Sequence, residues 1–240
     1  MSVQINTLRA LLFYLTLTLW TVSWSTVMMI IIPFLPFRLR HPLLVKNWAH
    51  VAMFLCRFIA GIRWEVHGRE NIPEKPCVLV SNHQSSWETF FIQTLFSPQT
   101  QVIKQSLLNI PFFGWAFRLI KPIAIDRDDP RKSLSQIAQQ GSLALKNDVW
   151  VLIFPEGTRF PDGELGKFSK GGVNLARKAE SDILPIAHNA GTCWPNGQIL
   201  KKPGTIHVHI GPVISTTEKT PAAANNEVRE WIAGALEAMK

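Results

Sequence analysis

Val78–Phe90, VLVSNHQSSWETF, is the stretch whose reading decides the fold of this chain. Val78, Leu79 and Val80 make a short, continuously apolar run, the pattern of a strand buried on both faces. Ser81 and Asn82 stop it, and a helix is predicted to begin near Trp87. His83 therefore falls where a strand hands over to a helix, at the rim of a sheet, where side chains meet solvent and ligands. Two roles are open for Glu88. Ser85 and Glu88 match the S-x-x-E capping box, in which the carboxylate closes free helical N–H groups. Alternatively, Glu88 folds back from the first turn onto His83, fixing the tautomer of the imidazole and supporting the charge formed when its other nitrogen takes a proton. A histidine at a strand end also has a purely structural reading, and these residues alone do not choose.

Working outward, the same alternation repeats. Ile62–His67 reads as a first strand, Cys77–Val80 as the second and Thr100–Ile103 as a third ending at Lys104. Leu107–Ile120 is apolar but interrupted by Pro111 and Gly114, too broken for one helix and suited to lie against lipid or an acyl chain. Ile123–Ile125 is a short strand ending at Asp126-Arg127, followed by a helix over Pro130–Lys146. Val149–Phe154 is a buried strand broken by Pro155-Glu156-Gly157-Thr158-Arg159. A helix over Gly171–Ala179, strands at Ile183–Ala187 and Thr205–Ile210, and a tail helix over Asn226–Met239 complete the series. Buried strands alternating with helices predict an α/β fold: a mixed, largely parallel central sheet flanked by helices.

Ahead of it lies a different composition. Ala10–Phe37 contains 28 residues without a charge, more than the roughly 20 that a spanning helix needs. The run is too long for a signal-peptide core and lacks a clear cleavage site, so it is assigned to the mature protein. Pro33 and Pro36 end or kink this helix, and Arg38, Arg40, His41 and Lys46 mark a cytoplasmic boundary. A second helix is predicted over Leu43–Ala60. The division is thus 1–61, membrane-anchoring helices, and 62–240, a catalytic domain. The anchor either spans the bilayer or forms a hairpin embedded in one leaflet, the bland alternative being a hairpin buried in a soluble core.

With 240 residues, 47% of them apolar, the chain can bury one sizeable core. A net charge of +8 calls for an anionic partner. No basic run exceeds two residues, as at Lys201-Lys202, so nucleic acid is not the expected partner, whereas nine tryptophans suit a membrane interface. Cys56, Cys77 and Cys193 read as core thiols without disulfide or metal spacing. His207 and His209 alternate in one strand, a two-ligand pair that falls short of a zinc site, and no metal is assigned.

The predicted strand ends supply His83, Lys104, Arg127, Glu156 and Arg159. A base among cations is the chemistry for gripping a phosphate while a nearby hydroxyl is activated. NHQSSWE, KPIAIDR, FPEGTRF and ILPIAHN, in this order, resemble the four sequence blocks of the glycerophospholipid acyltransferases, most closely those of bacterial 1-acylglycerol-3-phosphate (lysophosphatidic acid) acyltransferases. The resemblance covers roughly Ile62 to Pro212. One departure is that the acid after the histidine, usually Asp, is here Glu88. The resemblance implies that His83 is the general base and Glu88 its orienting carboxylate. It implies that Arg127 and Arg159 bind the acceptor's phosphate, with Lys104 a further cation. Glu156, Gly157 and Thr158 would shape the substrate site, Glu156 reaching a glycerol hydroxyl.

The reaction so implied is acyl transfer from acyl coenzyme A or acyl carrier protein to the sn-2 hydroxyl of a lysophospholipid acceptor, 1-acylglycerol 3-phosphate, giving phosphatidic acid. It needs no cofactor beyond that co-substrate and takes place at a phospholipid membrane, the cytoplasmic face of a bacterial inner membrane. Alternatives are the same chemistry on a lyso-ornithine lipid, glycerol 3-phosphate or another hydroxylated lipid, and a non-enzymatic lipid-binding protein. A hydrolase is disfavoured because no G-x-S-x-G elbow is present.

Overall fold

The structure, a computed structural model, describes residues 3–126 and 128–240, so Arg127 lies outside the described residues. The chain opens with helix α1 (Val3–Ile31), followed after a short 3-10 turn by α2 (Phe37–Ala60). Then come β1 (Ile62–His67), β2 (Val78–Ser81), α3 (Trp87–Leu95) and β3 (Gln99–Lys104). Next are α4 (Phe113–Phe117), β4 (Ile123–Ile125), α5 (Pro130–Lys146), β5 (Trp150–Ile153) and α6 (Gly171–Lys178). The chain closes with β6 (Ile183–His188), α7 (Ala190–Cys193), β7 (Gly204–Ile210) and α8 (Pro221–Glu237).

The strands form one seven-stranded sheet in the order β1-β7-β6-β2-β5-β3-β4. β2 runs parallel to both β5 and β6, β5 to β3, and β3 to β4, whereas β7 is antiparallel to β6 and parallel to β1. The sheet is mixed and largely parallel, as the alternation predicts. Every residue of β2, β5 and β6 is buried, because helices cover both faces. Strand periodicity sorts their side chains. Leu79, Leu152 and Leu184 join Trp87, Phe91 and Ile92 of α3 on one face. Val78, Val151 and Ile183 meet Ile137 of α5, Leu175 of α6 and Val228 and Ile232 of α8 on the other. Each such fully buried large side chain contributes about 1.5–3 kcal/mol. Gly141 lets α5 approach α6 closely: a Cβ there would lie 2.5 Å from Leu175 Cδ2.

Local signals account for two of the helix starts. Asp129 caps α5 by accepting from the N–H of Lys132 at 3.0 Å, with Pro130 at the first helical position. The same pair, Thr220-Pro221, starts α8 five residues ahead of the predicted Asn226, Thr220 Oγ1 accepting from the Ala223 N–H at 3.2 Å. α2 likewise begins at Phe37 rather than Leu43. It passes Pro42, which has no N–H to donate, by widening into a π-helical turn over His41–Lys46. Leu107–Ile120 is broken as predicted, into a 3-10 turn over Gln105–Asn109, the short α4 and a second turn over Arg118–Ile120.

α1 and α2 form a hairpin that is two-faced. Trp24 Nε1 donates to the Leu44 carbonyl at 2.9 Å and Trp48 Nε1 to Thr21 Oγ1 at 3.1 Å, tying the helices together. Phe13, fully buried, packs edge-on against Trp194, so the hairpin's inner face joins the sheet's core. Its outer face leaves Leu8, Leu11, Leu15, Leu19, Ile30, Phe54 and Phe58 exposed. Both helices are long and apolar enough to cross a membrane, and their uncovered apolar surface argues against the hairpin buried in a soluble core.

Candidate active site

Five consecutive strands, β6, β2, β5, β3 and β4, share one direction, so their C-terminal ends open on the same edge of the sheet. The loops after β2 and β5 and the end of β3 supply His83, Gly157, Thr158, Arg159 and Lys104, and all five line one cavity of about 750 Å³. Its polar rim also includes Ser86, Thr89, Gln93 and Asn196. Its apolar floor comes from Leu17 and Trp24 of α1, Leu44 and Trp48 of α2, Phe90 of α3 and Phe113 and Phe117 of α4. The broken segment Leu107–Ile120 thus lines the cavity with Leu107, Ile110 and Phe113, while Ala116, Phe117 and Ile120 are buried in a cluster with Ile103 of β3.

His83 is nearly buried, its ring stacked on Phe154 with centroids 4.2 Å apart. Behind it, fully buried Glu88 accepts from Nδ1 at 2.7 Å. The same oxygen accepts from the backbone N–H groups of Gln84 at 3.0 Å and Ser85 at 2.8 Å. Both readings of Glu88 thus hold together: it caps the entry to α3 and holds the imidazole, and one oxygen serves both. A proton on Nδ1 leaves Nε2 as the basic nitrogen. Burial pushes the Glu88 carboxyl up, but the imidazoles of His188 and His83 and the Ser85 N–H outweigh it and hold the group below its ordinary range.

Glu156, for which the resemblance implies a contact with a glycerol hydroxyl, bonds two backbone groups here. One oxygen accepts from the backbone N–H of His83 at 2.9 Å and the other from that of Gly166 at 3.0 Å. Its carboxylate stitches the loop after β5 to the loop after β2, and it does not line the cavity. Burial raises its pKa despite those two bonds. Gly157, beside it, has φ +69° with open space around it, so the turn needs glycine for its backbone conformation rather than for room. Arg159 donates through Nε to the Ser85 carbonyl at 3.0 Å and through a terminal nitrogen to Asn196 Oδ1 at 3.3 Å. That posture ties a half-exposed guanidinium to the histidine loop. Arg127, directly after Asp126 at the end of β4, lies outside the described residues.

Further residues, which local sequence patterns do not reveal, hold His83 in place. Asn82 Nδ2 donates to the His188 carbonyl at 2.9 Å, and the His188 N–H donates to Asn82 Oδ1 at 3.0 Å. The His188 ring bridges back, with Nε2 2.9 Å from the Asn82 carbonyl while Nδ1 accepts from the Ala190 N–H at 3.3 Å. These partners fix the Nε2–H tautomer, and burial lowers the pKa of this imidazole. Gln84 Oε1 accepts from the Gly191 N–H at 3.0 Å. Asn82 and Gln84 therefore pin the loop on either side of His83, the first to the end of β6 and the second to α7. Their signal was the juxtaposition of polar residues between two apolar elements, but their partners are about a hundred residues away. Cys77 is excluded as a nucleophile: it is buried, and burial pushes its thiol up to about 12.

The acyltransferase family model matches residues 63–189. The chain is 52% identical over 231 residues to the 1-acyl-sn-glycerol-3-phosphate acyltransferase of Pseudomonas aeruginosa, covering 95% of this chain and 90% of that protein. It is 30% identical over 201 residues to the 1-acyl-sn-glycerol-3-phosphate acyltransferase of Limnanthes alba, covering 83% and 70%. The crystal structure of the 1-acyl-sn-glycerophosphate (LPA) acyltransferase PlsC from Thermotoga maritima matches with a TM-score of 0.82 at 23% identity, over 98% of this chain and 95% of that one, a likeness of fold. From the family model and these relatives together, the chain belongs to the acyltransferase family.

Proposed function

We propose that this protein transfers an acyl group from a thioester, acyl coenzyme A or acyl carrier protein, to the sn-2 hydroxyl of 1-acylglycerol 3-phosphate, giving phosphatidic acid. One observation carries the reading: a carboxylate-held imidazole, a guanidinium and an ammonium share one cavity with a long apolar floor. Such a cavity suits an amphipathic acceptor with an anionic head. The relatives named for the same reaction support it.

In the proposed step, His83 Nε2 takes the hydroxyl proton as the oxygen attacks the thioester carbonyl. Glu88 stabilises the imidazolium that forms. The tetrahedral intermediate collapses with cleavage of the C–S bond, and the departing thiolate recovers the proton from His83. No acyl-enzyme is required, since the thioester is already activated. Arg159 and Lys104, with Arg127, bind the phosphate through charge-assisted hydrogen bonds. Gly157 and Thr158 border the headgroup. Glu156 acts through the loop, holding the His83 backbone.

The hairpin's bare outer face is proposed to rest in a phospholipid membrane, with the domain on the cytoplasmic side of a bacterial inner membrane. There an acceptor can reach the cavity without its chain entering water, each buried methylene being worth about 0.8 kcal/mol. The test is mass spectrometry of products from purified protein supplied with mixed lysolipids and both donor types. Phosphatidic acid as the dominant product, abolished in a folded His83→Ala variant, is expected. No acylated product with any donor, or a His83→Ala variant near wild-type activity, refutes the proposal.

A further inference from the structure

We infer that the exposed face of the β1–β7 ribbon binds one divalent transition-metal ion of the zinc class through Glu65, His67 and His207. Parallel pairing sets Glu65 opposite His207 and His67 opposite His209. Side chains alternate along a strand, so all four point to the same face of the ribbon. Glu65 Oε2 lies 3.6 Å from His207 Nδ1 and 4.0 Å from His67 Nε2. One ligand atom from each of the three lies within 4.8 Å of the others.

Both carboxylate–imidazole separations exceed hydrogen-bond length, so ordinary hydrogen bonds do not close this group. A tetrahedral ion with bonds of about 2.0–2.2 Å holds its ligand atoms roughly 3.4 Å apart. Small side-chain rotations bring the three to that spacing, and the side chains are free to make them: Glu65 and His67 are more than half exposed and His207 is 37% exposed. His209, its ring centroid 4.8 Å from that of His67, stands next to the remaining position, which otherwise takes water. Two imidazoles and a carboxylate favour zinc, copper or nickel over magnesium or calcium. The sequence offered only His207 and His209. The pairing of β1 with β7 adds the carboxylate and another imidazole from 142 residues earlier in the chain (Glu65 to His207, His67 to His209).

None of the three lines the cavity at His83, so the site is separate from the proposed chemistry. β1 has β7 as its one neighbour in the sheet and follows directly from α2. An ion bridging the two strands ties the edge strand β1 to β7 in the half of the strand away from the hairpin.

The test is equilibrium dialysis of untagged, full-length protein in detergent micelles against Zn2+, with Mg2+ as a control. Thermal midpoints are measured in parallel, and Co2+ absorption reports coordination. Expected are one bound zinc with a raised midpoint, no response to Mg2+, and at least about tenfold weaker binding in His67→Ala and His207→Ala. Glu65→Gln, which keeps the side-chain volume, should also weaken binding, and His83→Ala should not. Zinc bound equally well by all three ribbon variants, zinc lost in His83→Ala, or no zinc retained by wild type would overturn the inference.

Discussion

Replacing Glu88 by Gln separates its two duties, because one oxygen performs both. In the variant the amide oxygen can occupy the position of Oε1 and keep accepting from His83 Nδ1 and from the Gln84 and Ser85 N–H groups. The tautomer and the cap then survive. The amide nitrogen falls at Oε2, a buried atom for which no partner is found among the described residues. A buried unpaired donor costs about 1–3 kcal/mol of stability. Catalysis loses something else, the negative charge beside the imidazolium. Two unit charges about 4 Å apart at an effective dielectric of about 20 attract by about 4 kcal/mol, an upper bound on the effect. At about 1.4 kcal/mol per decade, turnover falls by up to about a thousandfold, and a loss of about a hundredfold or more is expected. The assay is the initial rate of lysophosphatidic acid acylation in mixed micelles at saturating donor and acceptor, with thermal unfolding followed by circular dichroism on the same preparations. A variant that is less stable yet turns over within about threefold of wild type would reduce Glu88 to a capping residue and refute the charge argument.

Arg159→Ala should raise the acceptor's Michaelis constant, lowering kcat/KM about tenfold to a hundredfold for lost charged hydrogen bonds worth about 1.5–3 kcal/mol, with the donor's constant unchanged. Steady-state kinetics with each substrate varied in turn checks this, and an unchanged acceptor constant at unchanged turnover removes Arg159 from the phosphate site. His188 should make the protein acid-labile. Burial holds its folded pKa below 6.5, so below that pH the unfolded chain binds the extra proton. Stability from this residue is complete above pH 6.5 and is lost as pH falls below it, until the folded ring itself titrates, by at most about 1.4 kcal/mol per pH unit. Melting temperatures of wild type and His188→Gln across that range should converge toward low pH, and parallel curves would contradict the assignment.

Much of this protein is legible in its sequence alone. Patterns such as VLVS before Trp87, or VWVLIF before the Pro155 turn, are set by neighbours a few residues apart, so element types and the strand-end position of His83 follow from the chain itself. The uncharged run from Ala10 to Phe37 announced the apolar hairpin in the same way. Thr220-Pro221 was equally local, an available signal for the start of α8. Strand direction and register are different, because they depend on contacts between segments far apart in sequence. Tertiary structure alone gave Glu156 to two backbone N–H groups, bound Asn82 to His188, and set β7 against β1 so that Glu65 meets His207. It also reconciled the rival readings of Glu88, since only the folded loop brings an imidazole and two amide N–H groups to a single carboxylate oxygen.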